Sequence, residues 1–211
     1  MESVQSLIKK QLTKKEGRLV FPDDFSQFGS IQAVLMALSR LVKEKELVRL
    51  AHGIYLRPKY DNRLGMITPS IEEIAQAIAK RDQVIIRPTG AYALNKLGIS
   101  NQVPMKVVFL SNGHPKSIKI GKGKLIFKMT SPKNLAAKNE TVFLVSQSIQ
   151  SLQGNINSAN PIYQKLIKAL SKIPPKEIRE NAKYAPQKIT RMLYQMADQI
   201  ESNDTIFATT R

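Results

Sequence analysis

The chain has no cysteine and only two histidines, His52 and His114. That inventory excludes disulfides, thiolate nucleophiles and cysteine-based zinc sites together, and no metal or other cofactor is expected. Long apolar runs are missing as well: the longest, AVLMAL at 33–38 and VVFL at 107–110, fall far short of the ~20 residues that cross a bilayer. The opening MESVQSLIKKQLTKK contains neither the apolar core nor the small-residue cleavage site of a leader peptide. A cytoplasmic protein without a membrane partner is expected. Acidic residues are scarce, and they are not gathered as metal-dependent nuclease or nucleotidyl-transfer chemistry requires. The adjacent pairs Asp23–Asp24 and Glu72–Glu73 stand at helix starts, where the helix dipole accounts for them. Neither histidine has the surroundings of a Ser-His-Asp triad. The chain is read as a non-enzyme.

What is abundant is positive charge. Against 16 Asp and Glu stand 33 Lys and Arg, a net charge of +17 in 211 residues. Such an excess favours a polyanionic partner through counterion release and long-range attraction, nucleic acid first. The length suits two small domains, each with its own core.

Apolar positions Val4, Leu7, Ile8 and Leu12 have the spacing of one helix stripe, with Lys9, Lys10, Lys14 and Lys15 on the wet side or at the end. Gly17 breaks that helix. RLVF follows as a strand, and Pro22 with Asp23 and Asp24 starts a brief helix through Phe28 that Gly29 ends. Ser30 is an N-cap for a helix over 30–45, whose apolar arc is predicted to be Ile31, Val34, Leu35, Leu38, Leu41 and Val42. ELVRLAHGIYLRPK reads as two strands turning near His52 and Gly53. This order predicts a winged helix-turn-helix over 1–64, with the last helix in a DNA groove and the hairpin gripping beside it.

On that reading Gln32 pairs with adenine, Ser30 bonds a base or phosphate, and Met36 touches a thymine methyl. Arg40 and Lys43 suit phosphates, with Ser39 on the margin of the same face. Arg49, His52, Arg57 and Lys59 equip the hairpin for the backbone or an adjacent minor groove. The competing reading is an ordinary amphipathic helix beside a solvated basic edge strand.

The stretch YDNRLGMITPS at 60–70 has linker composition, and 65–211 is expected to be an α+β domain. Its strands fall within 84–130, forming a mostly antiparallel small sheet, and its helices within 140–201; SNDTIFATTR is a loose tail. Ser70 with Glu73 forms a capping box, a Thr cap starts the helix of TGAYALNKLG, and GKGK at 121–124 is a hairpin turn rather than a phosphate cradle. Residues 1–64 carry 12 Lys and Arg against 7 Asp and Glu, so most of the positive excess lies beyond them. Between Asp82 and Glu140 there is no acid at all, while Lys106, Lys116, Lys119, Lys122, Lys124 and Lys128 accumulate. That surface either meets nucleic acid or another acidic macromolecule, or is a solvated sheet edge. Phe109 and Phe127 sit among aliphatic residues as core, which leaves little for a base-stacking platform.

GRLVFPDDFSQFGSIQAVLMALSRLVKEKELVRLAHGIYLRPK resembles the N-terminal winged helix-turn-helix of AbiEi-type antitoxins. PSIEEIAQAIAKR, RPTGAYALNKLGISNQVPMKVVFLSNG and SIKIGKGKLIFKMTSPKNL resemble the middle of the same proteins. The likeness runs from about residue 3 to at least residue 150, with Ser30, Ala33, Val34, Ala37, Leu38, Ser39, Arg40 and Leu41 in the recognition-helix pattern and Gly53 and Tyr55 in the wing. The chain departs from it at Ile31 and His52, where relatives often carry Arg. The resemblance implies the antitoxin of a type IV toxin-antitoxin pair that represses its own promoter. It also implies that the C-terminal domain neutralises a nucleotidyltransferase-like toxin, with no stable complex assumed and no oligomeric state specified. The alternative is an RNA-binding or protein-interaction factor that works through its basic second domain, the winged domain serving for docking.

Overall fold

A computed structural model of the protein describes residues 2–13, 16–153 and 156–209, the last seven as backbone only. Lys14 and Lys15 lie outside the described residues. The chain divides into two compact units, Met1–Arg81 with Ile118–Lys122, and Asp82–Ser117 with Gly123–Arg211. Both mix helices with small, mainly antiparallel sheets, and the C-terminal part is helical.

In the first unit, helix α1 (Val4–Leu12) starts at Ser3, whose hydroxyl accepts the Ser6 N–H, and buries Ile8 and Leu12. Strand β1 (Leu19–Val20) leads into a 3-10 helix, Pro22–Phe28, at whose start the Asp24 carboxylate accepts the Phe21 N–H at 2.9 Å. Helix α2 (Ile31–Lys43) is capped by Ser30. Strands β2 (Val48–Ala51) and β3 (Ile54–Leu56) form a hairpin, and β1 pairs with the other side of β3 to give the order β1-β3-β2. The hairpin turns on His52 and Gly53, the glycine supplying a φ of 68° that an L side chain resists.

Helix α2 packs against α1 and the 3-10 helix through Val34, Ala37, Leu38 and Leu41. Full burial of a leucine such as Leu38 contributes about 2 kcal/mol. The predicted apolar arc needs correcting: Ile31 is 55% exposed and Leu35 36%, while Ala37 is buried. The supported side of the helix is narrow and centred on a small residue, so large apolar side chains on its flank reach water.

The expected linker is also structured. Strands β4 (Lys59–Asp61) and β5 (Gly65–Ile67) form a second hairpin, Tyr60 opposite Met66. Asp61 accepts the N–H groups of Arg63 and Leu64, which close the turn and hold its carboxyl below the usual carboxylate range. Helix α3 (Ile71–Asp82) carries the Ser70–Glu73 capping box and places Arg81 4.7 Å from the Phe21 ring centroid.

The second unit contains β6 (Ile86–Thr89), α4 (Ala91–Lys96), β7 (Lys106–Ser111) and β9 (Gly123–Met129); β8 (Lys116–Ile120) begins in it and ends in the segment grouped with the first unit, and the sheet order is β6-β7-β9-β8. Although β6 and β7 are antiparallel, the central pair β7–β9 is parallel. Helix α4 begins at Gly90, with no side-chain cap. Thr89, predicted as that cap, ends β6 instead. Val107, Phe109, Leu125 and Phe127 fill one face of the sheet, with the two phenylalanine rings stacked at 6.2 Å. A short helix α5 (Pro132–Leu135) precedes α6 (Glu140–Ser151), α7 (Pro161–Leu170), α8 (Pro175–Ala182) and α9 (Gln187–Thr209). Leu166, Leu170, Ile178, Leu193 and Met196 form their common core with the buried side of α6. The tail foreseen as loose continues α9 as far as Thr209.

Candidate nucleic-acid interface

The unsupported face of α2 runs from Ile31 and Gln32 through Leu35, Met36, Ser39 and Arg40 to Lys43, all exposed. Its N-terminal half is apolar around one amide, with Met36 59% exposed, and its C-terminal half is cationic. Ser30 stands at the entrance, but its hydroxyl oxygen accepts the Ala33 N–H at 3.3 Å, so that oxygen already has a structural duty. Four residues separate the end of this helix from β2. Arg49 on β2 and His52 at the turn are exposed, and a register shift between Arg49 and Ala51 interrupts the ladder there. Neither Arg40, Lys43, Arg49 nor His52 has an ion-pair partner among the described residues.

The acids nearest to these cations in sequence are occupied elsewhere. Glu44 accepts from the Gln5 amide at 2.7 Å. Glu46 lies between Lys9, at 2.8 Å, and Arg57. Hydrogen bonding to Lys9, then to Arg57, holds the Glu46 carboxyl below the usual carboxylate range and raises the Lys9 ammonium. Arg57, expected to face DNA, is therefore spent inside the unit: it also donates to the Glu46 carbonyl oxygen at 2.8 Å and is half-buried. Lys59 is exposed, on β4 rather than on the first hairpin.

The lysines of the basic stretch divide. Lys106 and Lys124 are register partners on β7 and β9, and Lys128 follows on the same face of β9. All three are exposed. Lys116 is half-buried against Asp82 and is not free. Lys119 on β8 and Lys122 in the next turn are exposed and fall in the segment grouped with the first unit. In the sequence Arg87 stands among the cations of this acid-free stretch; sequence reasoning missed that its guanidinium lies 3.8 Å from the Phe143 ring centroid and donates to the Ala137 carbonyl, and that burial lowers its pKa. It also missed Gln147, a buried polar side chain in α6. The helical spacing of TVFLVSQSIQSL gives no sign that every residue from Val142 to Ile149 is buried. Among the described residues no three His, Asp or Glu side chains gather into a metal-binding group, and no helix is long and apolar enough to cross a membrane.

These features define an α+β protein of two units whose first unit presents a half-apolar, half-cationic helix face followed by a basic hairpin. The chain belongs to DUF6088, a family of unknown function whose model matches residues 4–197. No curated protein matches it. Among solved structures, the RV2827C protein from Mycobacterium tuberculosis is similar at 12% identity and a TM-score of 0.42, over 92% of this chain and 81% of that one.

Proposed function

We propose that the first unit is a winged helix-turn-helix that binds double-stranded promoter DNA. On this reading the chain is the autorepressing antitoxin of a type IV pair, as its resemblance to AbiEi-type antitoxins implies. The observation that carries the reading is the free face of α2, whose Arg40 and Lys43 pair with no carboxylate among the described residues, Glu46 being ion-paired to Lys9 and Arg57 and Glu44 hydrogen-bonded to Gln5.

The chemistry of that face suits a major groove. Gln32 offers the donor and acceptor pair that matches adenine, and exposed Ile31 and Met36 suit the thymine methyl. Arg40 and Lys43, in the C-terminal half of the helix, fit phosphates, as do Arg49 and His52 on the hairpin. Ser30 keeps a hydroxyl proton for a phosphate oxygen. The expected operator is thus rich in A·T pairs. The second unit would act against a nucleotidyltransferase-like toxin.

Gel retardation with the DNA upstream of the protein's own reading frame tests the repressor reading. Retardation that survives excess unrelated duplex supports it, and equal displacement by any duplex defeats it. Growth rescue on coexpression with a neighbouring nucleotidyltransferase-like gene tests the antitoxin reading separately.

A further inference from the structure

The second unit contains a cavity of about 390 Å³ above the sheet face opposite the Phe109–Phe127 core, within the range of small-molecule sites. The strand register builds it. Pairing of β7 with β9 sets Leu110 beside Lys128, and pairing of β6 with β7 sets Thr89 beside Val108. Helix α6 supplies the opposing wall with Phe143 and Gln147. Arg87, opposite Leu110 in the register, lies against the Phe143 ring and also donates to the carbonyl oxygens of Leu135 and Ala137.

Gln147 is the informative residue. It is only 5% exposed, and its side-chain oxygen accepts the Thr89 hydroxyl at 2.6 Å. Its Nε2 donates to no group among the described residues, yet this nitrogen is not sealed from solvent and its residue lines the cavity. Open to the cavity, this N–H has a hydrogen bond to give to an acceptor bound there. The rest of the lining has the same bias. It contains no carboxylate; its one charged side chain is Lys128, which has no ion-pair partner among the described residues. Thr130 accepts from Asn134 at 2.8 Å and so has its own proton to give. Lys106 and Lys124, paired on the same sheet face, add to the positive field.

We propose that this cavity binds a small organic anion, with a phosphate or carboxylate head at Lys128 and Thr130, an apolar or aromatic body on Val108, Leu110 and Phe143, and an acceptor atom on Gln147 Nε2. The proposal concerns the second unit alone and does not depend on the DNA reading.

Side-chain amide NMR signals of the full-length 15N-labelled protein provide the test. The pair of signals missing in Gln147→Met assigns the Gln147 amide. The probes are AMP, UMP and benzoate, beside neutral adenosine, uridine and benzamide, each at about 5 mM, enough to fill a site of millimolar affinity. At least one anion is expected to move the Gln147 signals while its neutral counterpart does not. Exposed Lys128→Met should bind that anion about tenfold more weakly. The proposal is overturned if no anion moves the Gln147 signals, if neutral compounds move them equally, or if Lys128→Met binds undiminished.

Discussion

The Arg57 guanidinium lies on the Glu46 carboxylate and donates to the Glu46 carbonyl oxygen at 2.8 Å, while Lys9 approaches the same carboxylate from α1 at 2.8 Å. The pair ties the exit of the β2–β3 hairpin to the turn after α2. It also converts a predicted DNA contact into a structural one.

Arg57→Ala should therefore lower stability by about 2 kcal/mol, through loss of charge-assisted hydrogen bonds at a half-buried site. Thermal and urea unfolding measure the loss. The salt dependence of DNA binding should be unchanged in this variant, and a slope reduced by one contact would return Arg57 to the interface.

The same cluster sets a pH dependence. The folded-state pKa of Glu46 is depressed, so its contribution to stability is complete above the unfolded carboxylate value and is lost as pH falls through the folded one. Urea midpoints between neutral pH and pH ~3 should fall less steeply for Glu46→Gln than for the native protein. Parallel curves would show that Lys9 and Arg57 do not stabilise the ionised form.

Much of this first unit was legible locally. Ser30, Gly53 and the Ser70–Glu73 box announce their turns through short-range hydrogen bonds or backbone freedom. What local pattern could not supply is support from elsewhere in the chain. The helical arc through Ile31 and Leu35 is correct in angle, but α1 and the 3-10 helix cover only the side centred on Ala37 and Leu38. Likewise Arg57 looks like a free cation until Glu46 is placed beside it. The hairpin at 59–67 was hidden by its short strands and turn-like composition, and the parallel β7–β9 pairing by a partner two strands away in sequence. Thr89 and Gln147 are 58 residues apart, so no spacing rule could join them.

Base readout by the apolar half of α2 can be isolated chemically. Replacing thymine by deoxyuridine removes only the 5-methyl group and should weaken binding at the positions met by Ile31 or Met36, by about 1 kcal/mol per methyl. Met36→Ala should abolish the difference at one of those positions. Anisotropy titrations on the substituted operators read both effects, and indifference to every thymine methyl would remove apolar readout from the account.

Phosphate contacts have another signature. Arg49→Ala and Lys43→Ala should each reduce the slope of log affinity against log salt by roughly 0.9 and weaken all sequences alike. A variant that changed sequence preference without changing the slope would place that residue against a base instead.

The face of α2 itself is tested most directly by measuring duplex binding across a salt series for the native chain and for Gln32→Ala with Arg40→Ala. The native protein should prefer its operator over random duplex, with a slope corresponding to about four to six phosphate contacts. The double variant should lose that preference while staying folded. Full operator preference in the double variant, or binding by the native chain that ignores salt, would contradict the assignment of this helix to DNA.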